Sequence, residues 1–372
     1  MIKKTLLITL EYPPMIGGVA HYYKNLVGEF AEGQIVVLDN STHQLLSTNR
    51  FLWPKWLKAL WVTYRTIRRE RIEHILVGHI LPLGTVALIL SWFLGKPYTV
   101  MTHAMDVTIP FGPEGSKHKQ RLMRLILQSA HTVTTVSTYT KMQLESLFDV
   151  DPRKIRLLYP CPHYNGFRYS EDQCAAMSAE LDERYQLHDK QVIVSIGRLV
   201  ERKGVDYVIA SMKLVKKQLP DARYIIVGDG PYRGMLEELV QKNDVADIVL
   251  FVGRATDADI AAWYARCDVF VMPSRELPSR DVEGFGIVFV EAASFGKPVI
   301  GGKSGGVLDA VLDGENGYVV NPMDIDMIQQ AIVSILTDPV LAVSFGEEGR
   351  RRVKQYFEWS IQAKKLEGIL TE

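Results

Sequence analysis

Short apolar runs rich in β-branched and aliphatic residues recur along the whole chain, and segments of helix length separate them. The runs lie at residues 5–10, 35–38, 75–78, 98–102, 132–136, 155–158, 192–196, 224–227, 249–252, 269–272, 298–301 and 318–320. Continuous apolar strands that alternate with helices are typical of parallel sheets covered by helices on both faces. Two series of six strands therefore predict an α/β fold with two doubly wound domains.

The pattern is interrupted between the two series, where Pro, Asn, Gly and Ser precede a charged stretch. The interruption predicts an N-terminal domain over 1–165, a linker over 166–185 and a C-terminal domain over 186–350. A last helical segment, 356–372, has no strand after it. Because ligands of open parallel sheets bind beyond the carboxyl ends of the strands, we expect the chemistry in a cleft between two facing domains.

The amino-acid composition mainly excludes classes of partner and site. The chain of 372 residues is 47% hydrophobic and 23% charged, which is typical of a well-packed globular protein. Lys and Arg together number 43, as do Asp and Glu, so no overall field favours nucleic acid as a partner. Three cysteines without close spacing fit a reducing compartment and indicate neither disulfides nor a zinc site. A cytoplasmic location is expected.

One stretch, 75–95, carries no formal charge and is long enough to span a bilayer. Pro82 and Gly84 interrupt it, so a strand, a turn and a buried helix explain it as well. The second interpretation is favoured, and no transmembrane helix is predicted. The N-terminal apolar run, 5–10, is too short for a signal peptide and is expected to be a strand.

The segment 281–291, Asp-Val-Glu-Gly-Phe-Gly-Ile-Val-Phe-Val-Glu, carries the strongest chemical signal. Gly284 and Gly286 allow close approach to a ligand, and a helix that begins near Ile287 would direct free N–H groups at a phosphate. Glu283 in the loop suits sugar hydroxyls, and Glu291 inside the helix suits a ribose diol. The alternative is an acidic helix start with a half-buried Glu291, although an unpaired glutamate in apolar surroundings is costly.

Basic residues follow the first strand of the second series, in Gly197-Arg198-Leu-Val-Glu-Arg-Lys203. The planar fork of Arg198 and the mobile charge of Lys203 suit the two phosphates of a diphosphate. Alone, such a loop is usually solvated surface.

Two further features lie in the first series. Gly17 and Gly18 follow the first strand, where paired glycines either expose N–H groups to a ligand or simply form a tight turn. His103 closes the fourth strand and would project toward the cleft, although a lone histidine is more often structural.

Taken together, these motifs resemble those of the retaining glycosyltransferase family 4. The resemblance spans nearly the whole chain, includes the run Val227-Gly228-Asp-Gly230-Pro, and is closest to bacterial mannosyl- and glucosyltransferases. It implies the GT-B fold, in which two Rossmann-like domains face each other and the last helix, 356–372 here, crosses back to the first domain. The stretch from Cys161 to Phe167 departs from the family pattern at the expected hinge between the domains.

The resemblance also implies roles for residues. Arg198 and Lys203 would hold the diphosphate, with Gly197 and Gly228 beside them, and Glu291 would hold the ribose. Glu283 and the backbone of Gly284, Phe285, Gly286 and Ile287 would bind the transferred sugar. Gly17 and Gly18 would approach the phosphates, His103 would contact the sugar near the reacting carbon, and Gly253 and Arg254 would border the base. The catalytic set is thus His103, Glu283, Arg198 and Lys203.

The implied reaction moves a hexose, with retention of configuration, from a nucleotide-diphosphate sugar to a glycan or lipid-linked acceptor. GDP-mannose is slightly favoured over UDP-glucose and UDP-N-acetylglucosamine. No cofactor is expected, since the nucleotide-sugar is a co-substrate. Two Asp-x-Asp pairs, 257–259 and 324–326, suggest a metal site or helix N-caps, and metal independence is predicted.

Two rival functions stay open. The glycines from Gly228 to Gly234 follow a strand and suggest an NAD-dependent oxidoreductase, although their spacing fits the dinucleotide fingerprint poorly. A nucleotide-sugar-binding protein without activity is the other. Finally, aromatic and basic residues alternate at helical spacing within 51–71, including Trp53, Trp56 and Trp61. This pattern indicates either peripheral contact with the inner face of the cell membrane or a helix packed on the core.

Overall fold

The computed structural model describes residues 2–15, 17–46, 54 and 56–372. Two sheets of six parallel strands form the framework, with orders β2-β1-β3-β4-β5-β6 and β12-β11-β10-β7-β8-β9. The strands are β1 Thr5–Ile8, β2 Ile35–Leu38, β3 His74–Val77, β4 Tyr98–Thr102, β5 Thr132–Thr135, β6 Ile155–Leu157, β7 Gln191–Ile196, β8 Ala222–Val227, β9 Val249–Gly253, β10 Val269–Met272, β11 Val299–Gly302 and β12 Gly317–Val320.

Helices α1 to α12 lie between strands, and α13 to α15 follow the last strand. They are α1 Gly18–Gly28, α2 Leu57–Glu70, α3 Leu83–Leu94, α4 Met105–Thr108, α5 Lys117–Ser129, α6 Thr138–Phe148, α7 Glu171–Tyr185, α8 Val205–Gln218, α9 Arg233–Lys242, α10 Asp257–Arg266, α11 Ile287–Ser294, α12 Val307–Ala310, α13 Ile325–Thr337, α14 Pro339–Tyr356 and α15 Trp359–Thr371.

All twelve predicted strands are present, and their ends differ from the predictions by at most two residues. The central strands β1, β3, β4 and β10 are buried along their whole length. A strand covered on both faces needs an uninterrupted apolar run, and this is why the sequence pattern located the strands so closely. The fold class is therefore confirmed as α/β with two doubly wound sheets.

The chain divides into two compact units. The N-terminal unit contains the residues up to Pro160 together with Pro278–Gly284 and Glu358–Glu372, and the C-terminal unit contains Cys161–Leu277 and Phe285–Phe357. Within the range 166–185, predicted as a linker, residues Glu171–Tyr185 form α7, which packs on α10 in the C-terminal unit. The last helix, α15, packs on α1 in the N-terminal unit.

Each sheet has one point where the strand order changes direction. The connections of the first sheet run to opposite sides between β1 and β3, and those of the second between β7 and β10. The loops that leave two such neighbouring strands diverge, which opens a crevice beyond their carboxyl ends. The order of the second sheet is the one common to dinucleotide-binding folds. These two crevices are where ligands are expected in each unit.

The uncharged stretch 75–95 folds as β3, a turn and α3, as predicted, and α3 is buried along most of its length. Over the described residues, no helix taken singly has the length and apolar character needed to cross a membrane. The segments Ile325–Thr337 and Pro339–Thr371, which meet at 99°, satisfy that criterion only as a bent pair and by length and composition alone.

Candidate functional site

In the C-terminal unit, the predicted phosphate-binding cations lie on the loop that follows β7. Gly197 comes directly after the strand, and Arg198 beside it is exposed. A methyl group at Gly197 would lie 4.0 Å from Cε of Lys203, so the lysine side chain lies next to this glycine. The loop leaves the sheet at the β7–β10 switch point. Both cations therefore belong to the loop where a ligand of the second sheet is expected.

Arg275, which the sequence interpretation missed, holds this loop in place. Its guanidinium group donates hydrogen bonds of 2.8 and 2.9 Å to the two carboxylate oxygens of Asp206 and lies 3.5 Å from Glu201. Its backbone N–H donates to the carbonyl of Arg202 at 2.8 Å. A buried arginine just beyond β10 thus fixes the loop that carries Lys203. The sequence feature that indicates Arg275 is a charged residue three positions beyond the end of an apolar strand.

The glycines in the loop after β8, Gly228 and Gly230, are required by the packing of the protein itself. A methyl group at Gly228, where φ is +135°, would overlap the carbonyl oxygen of Gly197, and one at Gly230 would overlap that of Leu199. Close packing of neighbouring loops therefore explains two of the glycines that suggested a dinucleotide fingerprint, Gly228 and Gly230, whereas a methyl group at Gly234 would meet none of the described residues within 4 Å. The role of Gly228 toward a ligand stays a prediction.

Gly253 and Arg254 lie at the end of β9. Gly253 has a φ of +79°, a left-handed conformation that favours glycine. Arg254 is exposed, and its Nε lies 3.6 Å from a carboxylate oxygen of Asp229 in the loop after β8. These residues are thus placed at the carboxyl edge of the sheet, two strands away from β7.

The two Asp-x-Asp pairs lie at helix starts. Asp324 is the N-cap of α13 and accepts the N–H of Met327 at 2.9 Å, whereas Asp259 forms a capping box with Thr256 at the start of α10. The N-cap interpretation holds for Asp324, and in α10 the cap is Thr256. No group of three or more His, Cys, Asp or Glu side chains placed to hold a metal ion occurs among the residues that the structure describes.

The glutamate motif forms the start of α11, as predicted. Gly286 precedes the helix with φ +87° and ψ +60°, and Ile287 is the first helical residue. Phe285 is buried and its ring lies 5.4 Å from that of Phe357, so only its backbone can meet a ligand. Glu283 and Gly284 belong to the N-terminal unit.

Glu291 is buried on α11 and already accepts hydrogen bonds from the protein. Its Oε2 accepts from the hydroxyl of Tyr264 at 2.8 Å, and its Oε1 accepts from the backbone N–H groups of His163 and Tyr164 at 3.1 and 3.3 Å. Burial raises the pKa of Glu291 to about 7, although these three donors oppose the shift. A carboxylate has about four lone-pair positions, so Oε2 keeps one for a ligand hydroxyl.

In the N-terminal unit, His103 follows β4 and its ring is held by two tyrosines. Its Nε2 lies 2.7 Å from the hydroxyl of Tyr23, and the edges of Tyr22 and Tyr23 contact it with ring centroids 5.2 and 5.3 Å away. Burial is the main cause that lowers the pKa of His103 to about 3, and the nearby His79 adds to it. The imidazole is therefore neutral at physiological pH.

The backbone after His103 is strained. Ala104 has φ +74° and ψ −62°, and the N–H of Met105 donates to the carbonyl of His103 at 3.1 Å, which is a γ-turn of the rare, strained kind. A methyl group at Gly284 would lie 3.0 Å from this same carbonyl oxygen. The structure thus brings the glutamate motif, up to Gly284, against His103.

A second pair of polar residues lies at the β1–β3 switch point. Glu11 follows β1 and His79 follows β3, with Oε1 of the glutamate 3.4 Å from Nε2 of the histidine. Sequence reasoning did not select either residue. The hydrogen bond from His79 is the largest cause that lowers the pKa of Glu11.

Packing among the described residues does not explain the paired glycines. Gly17 precedes α1 with an extended φ of 168°, and a methyl group there would approach Glu11 no closer than 3.8 Å. A methyl group at Gly18 would meet none of the described residues within 4 Å. A close approach by a ligand remains a physical reason for glycine at these positions.

Comparison with known proteins shows the family of the chain. Residues 178–352 match the family model described as Glycosyl transferases group 1, and residues 16–161 match that described as Glycosyltransferase Family 4. The chain is 31% identical to the GDP-mannose-dependent alpha-(1-6)-phosphatidylinositol monomannoside mannosyltransferase of Mycolicibacterium smegmatis, over 98% of each sequence. It is 30% identical to the GDP-mannose-dependent monoacylated alpha-(1-6)-phosphatidylinositol monomannoside mannosyltransferase of Corynebacterium glutamicum, over 99% of this chain and 98% of that one.

Among solved structures, Anabaena Alr3699/HepE in complex with UDP and glucose aligns over the full length of both chains, with a TM-score of 0.78 and 19% identity. At this identity the likeness shows the fold alone, which is GT-B.

Proposed function

Because the chain belongs to glycosyltransferase family 4, we propose that it transfers mannose from GDP-mannose, with retention of configuration, to a lipid-linked glycan acceptor. The observation that carries this proposal is the near-complete alignment with GDP-mannose-dependent relatives at about 30% identity. The expected donor residues also lie at the carboxyl edges of the two sheets, where each fold leaves room for a ligand.

The C-terminal unit supplies the groups for the nucleoside diphosphate. Arg198 and Lys203 bind the phosphates from the loop after β7, and Glu291 accepts a ribose hydroxyl with the lone pair left on Oε2. The start of α11 after Gly286 directs free N–H groups at the same anion. Gly253 and Arg254 border the base. Arg275 keeps the Lys203 loop in position for this role.

The N-terminal unit supplies groups for the sugar. His103 and Gly284 are adjacent, and Glu283 precedes Gly284, so these residues form a common surface beyond β4. The unexplained glycines at 17 and 18 allow the start of α1 to approach the phosphates closely. Each of these assignments follows the family motif, residue by residue.

During transfer, negative charge develops on the departing β-phosphate and positive charge on the sugar ring. Preorganised cations and N–H groups aimed at that phosphate lower the barrier, and one such donor is worth about 3 kcal/mol. In retention through front-face substitution, the leaving phosphate takes the proton of the acceptor hydroxyl. Arg198 and Lys203 provide the positive charge, so the proposal includes independence from divalent metal ions.

The direct test is nucleotide binding followed by product analysis. A ligand at 100 times its dissociation constant adds about 2.7 kcal/mol to stability, so a thermal-shift panel of GDP, UDP and ADP identifies the base. We expect GDP to stabilise the wild type most and R198A and K203A to lose the effect. K213A removes an exposed charge on α8 and serves as control.

An inverted anomer in the product, or activity abolished by EDTA, would contradict the proposed mechanism.

We also propose contact with an anionic lipid surface through α2 and α3. Trp53 and Lys55, part of the predicted stripe, lie outside the described residues, and Trp56 packs against the core. Other members of the stripe, Leu57, Trp61 and Tyr64 on α2, are exposed, as are Trp92 and Phe93 at the end of α3. An apolar groove of about 450 Å³ runs between these two helices.

The charges beside this groove support the lipid assignment. Arg65 and Arg68 lie over the rings of Trp61 and Tyr64, at 5.5 and 5.8 Å from the ring centroids. Lys58 and Arg69 are exposed on the same helix. Aromatic side chains beside basic ones are typical of helices that lie in the interface of anionic membranes. A lipid-linked acceptor would be found at such a surface.

A further inference from the structure

A short hydrogen-bond chain runs from the loop after β3 to His103. The hydroxyl of Tyr23 donates to the carbonyl oxygen of Gly78 at 2.9 Å, and the same hydroxyl lies 2.7 Å from Nε2 of His103. Tyr23 is fully buried on α1, and no family motif noted in the sequence includes it. Space around Gly78 is restricted, because a methyl group there would lie 3.0 Å from the tyrosine hydroxyl.

The protons in this chain can be assigned by counting. A carbonyl oxygen only accepts, and a tyrosine hydroxyl has one proton, so that proton lies on the bond to Gly78. The hydroxyl oxygen must then accept from His103, and the proton on the imidazole is on Nε2. In a neutral ring the other nitrogen, Nδ1, carries a lone pair and accepts hydrogen bonds.

The surroundings keep the ring neutral and fixed. Burial and the nearby His79 favour the neutral form, and Glu11 opposes them with a smaller effect. The rings of Tyr22 and Tyr23 pack on the imidazole with their planes at 83° to it, and the contact of Nε2 with the Tyr23 hydroxyl at 2.7 Å sets the orientation of the ring. His103 is partly exposed as a residue.

We infer that Tyr23 is a positioning residue that fixes the tautomer of His103, so that Nδ1 accepts a hydrogen bond from one hydroxyl group of the bound sugar. This inference rests on the proposed function and deepens it. A neutral acceptor atom repels phosphate and carbonyl oxygens, so His103 selects a sugar that carries the hydroxyl and takes no part in stabilising the diphosphate. A donor sugar that lacks this hydroxyl is therefore transferred with a lower kcat/KM.

The matched variants are Y23F and Y22F. Y23F removes the hydroxyl that accepts from Nε2 and keeps the ring, whereas Y22F keeps the chain through Tyr23 and removes a hydroxyl directed at the carbonyl of Leu158. Both rings contact His103, so packing changes are comparable. Melting curves check that both variants fold.

The first measurement is the ¹⁵N spectrum of protein labelled at histidine, with the His103 signals identified by their loss in H103Q. We expect a protonated Nε2 and an unprotonated Nδ1 in the wild type and in Y22F, and a mixture of tautomers in Y23F. A protonated Nδ1 in the wild type, or an unchanged spectrum in Y23F, would overturn the inference. This experiment needs no substrate, so its outcome is independent of the proposed function.

The second measurement compares turnover of GDP-mannose with that of its singly deoxygenated analogues. We expect one analogue to have a kcat/KM about tenfold lower in the wild type and Y22F, the size of a net hydrogen bond. In Y23F the ratio of the kcat/KM for GDP-mannose to that for this analogue should approach one. GDP-mannose loses the hydrogen bond to His103 in this variant, and the analogue never made it. An equal loss for all donors in Y23F would overturn the inference, whereas absence of GDP-mannose binding by the wild type would contradict the proposed function instead.

Discussion

At the scale of single residues, Glu291 links donor binding to pH. The carboxylate form accepts from a ribose hydroxyl, whereas the protonated form has lost acceptor positions, and the pKa is raised to about 7 by burial. We therefore expect the affinity for GDP-mannose to increase between pH 6 and pH 8, measured by calorimetry. The intact donor is used because its diphosphate, unlike the terminal phosphate of GDP, does not titrate in this range.

Two variants test the origin of that pH dependence. Tyr264 donates to Glu291 at 2.8 Å and lowers its pKa, so Y264F should move the rise in affinity to higher pH. E291Q should bind weakly and without pH dependence. For stability the sign is opposite: the folded state binds the proton more tightly than the unfolded chain, so this group makes the unfolding free energy fall as pH rises from about 4.5 to 7. A flat affinity profile in the wild type would contradict this role.

Gly228 and Gly18 test two different reasons for glycine: close packing within the fold at Gly228 and close approach of a ligand at Gly18. A methyl group at Gly228 would overlap the carbonyl of Gly197, so G228A should lower the unfolding free energy by more than about 3 kcal/mol. A methyl group at Gly18, in the first turn of α1, would meet none of the described residues within 4 Å, so G18A should leave stability unchanged or raise it by up to about 1 kcal/mol. If Gly18 meets the donor phosphates, G18A nevertheless raises the KM for the donor. Chemical unfolding and donor kinetics check the pair, and a normal KM in G18A removes the ligand role.

At the scale of elements, the loop after β7 depends on a buried charge pair. Arg275 is 9% exposed and bonds Asp206 with both terminal nitrogens. Removal of one partner from a buried ion pair costs about 3–5 kcal/mol, so R275M should lower the unfolding free energy by that amount. R275M should also weaken donor binding, because the loop that carries Lys203 loses the side chain that holds it in place. Arg266, 11% exposed and paired with Asp182 on α7, is the matched control. R266M should lose comparable stability and keep donor affinity; equal loss of affinity in both variants would refute a specific role for the loop anchor.

The same elements show how far the sequence could predict this molecule. The strands were located because burial on both faces imposes long apolar runs, and the start of α11 was marked by Gly286 and the apolar residues after it. The partners of Arg275 and the contact of Tyr23 with His103 join residues 69 and 80 positions apart, and no periodicity encodes such pairs. Gly228 was selected as a ligand residue, yet packing of neighbouring backbones already requires it. Local patterns thus define elements and ligand loops, whereas the orientation of the functional side chains depends on tertiary contacts.

At the scale of the whole molecule, attraction to a membrane must come from a local surface, because Lys and Arg are balanced by an equal number of Asp and Glu. Trp61 and Phe93 are 60% and 81% exposed beside the basic face of α2. We expect W61E/F93E to bind vesicles containing anionic lipid at least tenfold more weakly than the wild type, in a co-sedimentation assay. Each substitution removes an apolar anchor and adds a charge that the lipid surface repels.

The control must carry the same charge change on another exposed apolar surface. Val340 and Val343 on α14 are exposed and do not line the α2–α3 groove, so V340E/V343E should bind vesicles as the wild type does. Transfer to a water-soluble acceptor should be the same in all three proteins, because neither pair belongs to the donor site. If both double variants lose binding equally, the effect is one of net charge, and the α2–α3 groove is not the docking surface. If W61E/F93E alone loses it and high salt weakens the wild type, the apolar groove and its basic residues act together on the lipid.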